Sequence, residues 1–365
     1  MTLRLHTPIC ELLGTELPII QAPMAGGATT PELVAAVSGA GALGSFGFAY
    51  TQPEDMRRAA AAVRSKTKRA FGINLFVAPQ PGEIAAATQR DALVAVAPYY
   101  AELGLPAPEP LRAPFAPDLQ AQLAALEGIR PAVFTAHFGE LPPERLKALH
   151  ALGIKIGGCA TCVEEAKRLE ALGFDFVIAQ GVEAGGHRGT FLRNPYEALT
   201  GTLALTRLVV RAVRVPVVAA GGIMDGAGVA AVLALGAQAA QLGTAFVTAK
   251  ESGSPPAHKD AILGASEDTT QLTEKFSGRI ARAVANRFMR EMDARNAPQL
   301  AFPAQNSLTG PLRQASIKAG KGGEFFSAYA GQGAPLARAL PAAQLVERLA
   351  AETHEALGRL AALVN

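Results

Sequence analysis

The stretch that decides the fold begins Val215-Pro216-Val217-Val218-Ala219-Ala220-Gly221-Gly222-Ile223. It continues through Gly226 to Leu235 and ends Ala239-Ala240-Gln241-Leu242-Gly243-Thr244-Ala245-Phe246. A short apolar run, a glycine break and a helix-like segment are followed by a second apolar run and a second glycine break. Strand, turn, helix, strand, turn is the repeating unit of α/β folds. In a (β/α)8 barrel the loops after the last two strands commonly bind phosphate, assisted by a helix N-terminus. Glycine lets backbone N–H groups approach phosphate oxygens without a Cβ in the way. Thr244 adds a hydroxyl donor. The plain alternative is a pair of ordinary strand-to-helix turns. Two glycine breaks at adjacent strand ends favour the phosphate site.

The same unit recurs outward from this stretch. Residues 19–24 read as a first strand ending in Pro23-Met24-Ala25-Gly26-Gly27, and Thr30-Pro31-Glu32 reads as a capped helix start. Further strands are expected near 43–46, 71–76, 132–135, 155–157 and 176–179, before those at 217–220 and 240–242. The eightfold strand–helix alternation predicts an α/β fold, a TIM (β/α)8 barrel over residues 1–249. The crossover from 77 to 129 exceeds a normal barrel connection. Helical stretches are expected near 81–102 and 117–127, around a proline-rich break, as a lid or pocket wall. From 250 to 330 the pattern changes, with 270–295 read as polar helix and 297–313 as irregular. This predicts a smaller, mostly helical second domain on the substrate side. Residues 331–365 are expected to pack back on the barrel through an amphipathic helix from Ala342 to Leu363.

Composition narrows the function classes. The chain has 365 residues, only 18% of them charged, and a net charge of +3 without a Lys/Arg stripe, which argues against nucleic acid. The most apolar long stretch, Val229 to Val247, contains Gln238, Gln241 and two glycines, and so reads as buried rather than membrane-spanning. Three cysteines make no disulfide framework, and the N-terminus lacks a secretory pattern. A cytoplasmic setting is expected.

Candidate chemistry gathers at the expected strand ends. His137 follows the fourth strand and His187 ends the glycine-crowded loop after the sixth, Gln180-Gly181-Val182-Glu183-Ala184-Gly185-Gly186-His187. Barrel active sites sit on that face, so the two imidazoles can converge although 50 positions apart. Each has a plain alternative as a buried structural histidine. A metal held by His137, His187 and Glu183 is an alternative reading that no local H-x-x-H spacing supports. Cys159 and Cys162 form a C-x-x-C at a helix start, a placement that lowers thiol pKa. With no second pair, they read as two small residues at a turn. Gln21, Ala22, Pro23, Met24, Asn74 and Gln180 together offer amide groups and an apolar face for a flat heterocycle such as a flavin. No G-x-G-x-x-G follows the first strand, which disfavours a Rossmann NAD site.

These segments carry a family resemblance. Ile20-Gln21-Ala22-Pro23-Met24-Ala25-Gly26, Gln180 to His187, Ala220-Gly221-Gly222-Ile223 and Gln241-Leu242-Gly243-Thr244-Ala245-Phe246 resemble the nitronate monooxygenases, bacterial FMN-dependent class. The resemblance implies one non-covalent FMN, with its phosphate at Gly221-Gly222 and Gln241 to Thr244. Gln21, Met24, Asn74 and Gln180 would surround the isoalloxazine ring, with Gly181, Gly185 and Gly186 close by. His137 and His187 would be the pocket histidines, with Tyr99, Tyr100, Phe302 and Tyr329 on the substrate side. The segments Ser307 to Leu312 and Tyr329 to Gly333 look like that class too.

The implied reaction oxidises alkyl nitronates, propionate 3-nitronate among them, with O2 through a flavin semiquinone. It yields an aldehyde or oxo acid plus nitrite or related nitrogen oxides, and needs no NADH. The expected partners are a small anionic nitronate and O2, in a monomer or homodimer. Three other readings remain open here: an FMN-dependent NADH:quinone oxidoreductase, an enoyl-acyl-carrier reductase, and a non-enzymatic binding protein.

Overall fold

The computed structural model describes residues 5–78 and 82–363. Its strands are β1 (Ile19–Gln21), β2 (Gly44–Gly47), β3 (Phe71–Phe76), β4 (Val133–His137), β5 (Lys155–Ala160) and β6 (Phe176–Gln180). They continue as β7 (Gly186–His187), β8 (Val217–Ala220), β9 (Ala239–Leu242), β10 (Thr270–Thr273) and β11 (Ala281–Val284). Eight of these form one parallel sheet in the order β1-β9-β8-β6-β5-β4-β3-β2. A parallel bridge from Ile20 to Leu43 joins its two ends, with Gln21 N–H donating to Leu43 O at 2.9 Å. The sheet is thereby a closed barrel, the expected α/β fold.

Packing follows from strand alternation. Ile20, Leu43, Val133, Phe176, Ile178 and Val218 fill the barrel with Ile9 and Leu13 of the short helix Pro8–Leu13. Thr7 Oγ1 donates to Gln238 O, just before β9, so this helix lies at the N-terminal end of the strands. The other strand faces pack on helices Pro53–Lys66, Leu119–Ile129, Pro143–Ala151, Val163–Leu172 and Thr202–Ala212. Thr30 caps the helix Pro31–Gly39, its side chain accepting from Leu33 N–H at 3.0 Å. The final helix, Ala342–Ala361, lays Leu345, Val346 and Leu349 into the cluster containing Val229 and Val232 of helix Gly226–Ala234. Only glycine admits this approach, because a Cβ on Gly226 would lie 2.3 Å from Thr353 N.

The region outside the barrel departs from expectation. Residues 270–284, expected as polar helix, form the antiparallel hairpin β10–β11, and β7 joins it as a third strand. Helix begins only at Arg287–Ala294. The hairpin is four residues a side and alternates weakly, and its third strand lies about 100 positions away, beyond any local pattern. Residues expected to be irregular belong largely to helix Ala304–Lys318. Gly310 and Pro311 weaken its intrinsic propensity, but burial of Leu308 and Leu312 overrides them. Those side chains pack with Tyr99, Tyr100, Phe276, Phe288 and Phe325. The long crossover thus supplies helix Ala86–Glu102 to this second core. The expected start at 81 lies outside the described residues. Among the described residues, no helix is long and apolar enough to cross a membrane.

Candidate active site

A cavity of about 750 Å³ opens over the C-terminal ends of the barrel strands. That volume falls in the range of small-molecule sites, about 300–1,000 Å³. Its floor is built by residues after β1, β3, β4, β6, β8 and β9, where a parallel barrel presents its loops. Its cover is helix Ala304–Lys318 and the segment from Phe326 to Gly333.

His137 ends β4, and His187 lies on β7, where pairing with Ala281 of β11 holds it. The rings share an aromatic box. Phe138 lies 4.5 Å from His137 and 5.7 Å from His187 between ring centroids, and Phe302 and Tyr329 lie 5.6 Å and 5.2 Å from His187. Both rings expose part of their surface to the cavity but are enclosed by protein around it. That enclosure pushes both imidazoles down to about 3, helped by the positive charge of Arg279, so each is neutral near pH 7. For His187 the neighbouring His137 adds to the effect. Arg279 itself stacks 3.9 Å from the Phe138 ring centre.

The network assigns the tautomers. Ser277 Oγ donates to Arg279 O at 3.0 Å, so it accepts from His187 Nε2 at 2.8 Å. His137 Nε2 faces the carbonyl oxygen of His187 at 3.3 Å and is therefore the protonated nitrogen. In both rings Nδ1 keeps its lone pair. Gln180 Nε2 donates to the same carbonyl at 3.0 Å, while its Oε1 accepts from Gly189 N–H at 2.8 Å. Gln180 thus fixes the loop that carries His187.

The glycine turns after β8 and β9 meet at one end of the cavity. Gly221 and Gly222 have φ of +119° and +72°, and a Cβ on Gly221 would sit 2.8 Å from Thr202 Oγ1. Among the described residues, the amides of Gly222, Ile223, Gly243 and Thr244 have no acceptor. The segment Ala330 to Gly333 crosses this end. Gly331 N–H donates to Thr244 Oγ1 at 2.9 Å, and Gln332 N–H to Glu183 O at 2.9 Å. Free amides clustered at these two glycine turns fit an FMN phosphate. The free amides of Gly243 and Thr244 open the short helix Thr244–Val247, whereas at the start of helix Gly226–Ala234 Asp225 accepts from Gly228 N–H at 2.8 Å, and Glu352 from Gly226 N–H at 3.1 Å. That helix start already has its carboxylates.

Of the residues singled out in the sequence, Ala22, Pro23, Met24, Asn74, His137, Gln180, Gly185, Gly186, His187, Gly221, Gly222, Gln241, Gly243, Thr244 and Tyr329 line the cavity. Five do not. Gln21 is buried in the barrel wall, its amide bonded to Ser45 N–H at 3.0 Å and Ser45 O at 3.2 Å, where it ties β1 to β2. Gly181 donates to Ala220 O at 2.9 Å and packs on Thr202. Phe302 forms the wall behind His187. Tyr99 and Tyr100 belong to the second core: Tyr100 OH donates to Leu308 O at 2.6 Å, and Tyr99 OH takes a bond from Arg295. The apolar face of their helix turns inward, which removes both from the pocket.

Glu183 turns its carboxylate to Thr202 N–H at 2.9 Å, away from a set with His137 and His187, and no metal-holding cluster occurs among the described residues. Cys159 touches the cavity, but burial pushes its thiol up to about 12, and burial raises Cys162 as well. Desolvation outweighs the helix start here. Tyr50, His258 and Arg313 also line the cavity, and the sequence reading missed all three. Tyr50 lies three residues past β2, a signal that was available; the others sit outside the barrel, where no local pattern points inward.

Comparisons with known proteins place the chain among relatives. The family model described as Nitronate monooxygenase matches residues 7–352. A protein from Pseudomonas aeruginosa named "Nitronate monooxygenase" is 44% identical over 94% of this chain and 97% of its own length. One of the same name from Paraburkholderia phytofirmans is 41% identical over 98% of both. A crystal structure of nitroalkane oxidase from Streptomyces ansochromogenes superposes with a TM-score of 0.88 at 43% identity, covering 96% of this chain and 99% of that one. Family model and relatives converge, and the chain belongs to the nitronate monooxygenase family.

Proposed function

We infer that this chain oxidises alkyl nitronates with O2 using bound FMN, giving a carbonyl product and an oxidised nitrogen species. Propionate 3-nitronate is the proposed physiological substrate. The observation that carries the reading is one cavity joining a free-amide glycine cradle to two neutral imidazoles. The amides of Gly222, Ile223, Gly243 and Thr244 would hold the FMN phosphate, and Met24 and Asn74 would border its ring. When bound, FMN supplies the electron-transfer and O2 chemistry.

The protein's own tasks are then few. A nitronate is already a carbanion equivalent, so no strong base is required. Imidazoles held at about 3 are weak bases near pH 7, so the two Nδ1 lone pairs suit hydrogen-bond acceptance and make the preformed nitronate the better substrate than the neutral nitroalkane. Arg279 and Arg313 place positive potential around the histidines, which favours an anion there. Phe76, Phe138 and Phe302 surround the rings and limit water. Helix Ala304–Lys318 and the segment from Phe326 to Gly333 serve as the substrate-side cover. Three buried free thiols suit a reducing compartment, and we place the protein in the cytoplasm.

Purified protein is expected to be yellow, to consume O2 with ethyl nitronate, and to leave NADH unoxidised. Flavin-free protein, or flavin bleached by NADH under anaerobic conditions, would overturn the assignment.

A further inference from the structure

This inference rests on the FMN reading and concerns a side chain behind the cavity wall. Arg188 follows His187 in the chain and is fully buried. Its N–H donates to Ile280 O at 3.0 Å, which continues the ladder from β7 to β11. Successive side chains of extended backbone point to opposite faces. His187 therefore lines the cavity, and the Arg188 guanidinium passes behind it. Nη1 donates to Gln180 O at 2.8 Å, to Gly181 O at 2.6 Å and to Gln180 Oε1 at 3.3 Å. Nη2 donates to Ala198 O at 2.8 Å. Among the described residues, Nε has no partner.

Every one of those acceptors is neutral. Burial lowers the pKa of Arg188, but a guanidinium stays charged. Among the described residues the only buried carboxylate is Glu165. Its oxygens are taken by the N–H groups of Thr161, Phe191 and Leu192 and by the Thr161 hydroxyl, at 2.6–3.1 Å. Glu165 acts on both Arg188 and Arg279, while Glu183 and Arg282 act on Arg188 in opposite senses. One carboxylate against two guanidiniums leaves positive charge behind the wall. Burying a charge without a paired counter-charge costs stability, so packing alone does not account for Arg188.

Gln180 carries this charge to the cavity. Its Oε1 accepts from Arg188 Nη1 and from Gly189 N–H, which fixes the direction of the amide. Its Nε2 donates one proton to His187 O at 3.0 Å, the carbonyl that also faces His137 Nε2. With Oε1 occupied, the amide can offer the cavity only its second N–H. Gln180 lines the cavity, as do Met24 and Asn74, which would border the FMN ring. The Arg188 charge acts on His137 as well.

We propose that Arg188 is a positioning residue that holds the Gln180 amide as a donor toward the FMN ring and sets a positive potential there, so that the bound flavin is reduced more readily. Reduction adds negative charge to the ring, and a fixed positive charge in a water-poor wall favours that change. The test reads the reduction potential of bound FMN against reference dyes in wild-type, Arg188→Gln and Arg188→Lys holoenzymes, with melting temperature and flavin content measured alongside. At a fixed dye potential the ratio of reduced to oxidised flavin should fall about tenfold in Arg188→Gln. Arg188→Lys, which keeps the charge and loses the fork, should stay nearer the wild type. Turnover of ethyl nitronate should fall in the same order, through kcat more than KM.

A purely structural Arg188 would lower the melting temperature and flavin content yet leave the potential of the flavin-loaded fraction unmoved, and that result would overturn the proposal. An Arg188→Lys potential as low as that of Arg188→Gln would do the same. Should Arg188→Gln fail to fold, Gln180→Leu takes its place. It removes the amide donor and leaves Arg188, and an unchanged potential there would also overturn the proposal. Wild-type protein that binds no FMN would sink the flavin reading itself, whereas loaded protein with an unmoved potential sinks only the part given to Arg188.

Discussion

His137 and His187 hold the site together through their neutrality, and that neutrality links to stability. Enclosure by protein brings both from the ordinary 6.5 to about 3. Below pH 6.5 the unfolded chain binds protons that the folded imidazoles refuse. Stability present above that pH is therefore lost as pH falls toward 3, by at most about 1.4 kcal/mol per pH unit for each histidine. The partial exposure of both rings to the cavity softens the effect. His137→Asn should flatten the acid limb of the stability curve of FMN-free protein, read by urea unfolding between pH 6.5 and pH 4. Parallel curves for variant and wild type would mean that His137 is charged in the native protein. At this scale the sequence identified both histidines, because His137 follows the fourth expected strand and His187 ends the glycine-crowded loop after the sixth. It could not supply Arg279 or Ser277, which set their charge and tautomer from 90 or more positions away.

The deciding element is the segment Ala330 to Gly333 laid across the turns after β6, β8 and β9. Its closeness depends on missing side chains. A Cβ on Gly185 would sit 2.6 Å from the Ala330 carbonyl carbon and from Gly331 N, whereas one on Gly243 would meet only Ala22 Cβ at 3.5 Å. Gly185→Ala should therefore displace the segment, cost about 1–3 kcal/mol and speed FMN release. Gly243→Ala should leave stability nearly unchanged and act only on FMN affinity, where a Cβ would stand beside the phosphate. Thermal melts and flavin fluorescence check both variants, and equal behaviour of the pair would remove the packing argument. The hairpin β10–β11 belongs to the same scale. Its residues read as helix in isolation and become strand because β7 offers an edge to pair with.

For the whole molecule, the last helix closes what the barrel leaves exposed. Leu345, Val346 and Leu349 are buried against helices Gly226–Ala234 and Pro31–Gly39. Each such side chain contributes about 1.5–3 kcal/mol when fully buried, and a domain's net stability is only about 5–15 kcal/mol. A chain ending before Ala342 should lose its cooperative thermal transition and its solubility. A truncated protein melting like the full chain would show that the barrel needs no such cover.

The eight barrel strands, the glycine turns at Gly221-Gly222 and Gly243, and both histidines were readable in one dimension. Alternation and glycine breaks are local signals, and a parallel barrel converts strand order directly into position around a rim. The removal of Tyr99 and Tyr100 from the pocket, the joining of β7 to β11, and the turning of Arg313 inward were settled only by the folded chain. Each depends on contacts between segments about 100 to 200 residues apart. Such contacts are chosen by which apolar faces find a partner, and no stretch of sequence carries that information alone.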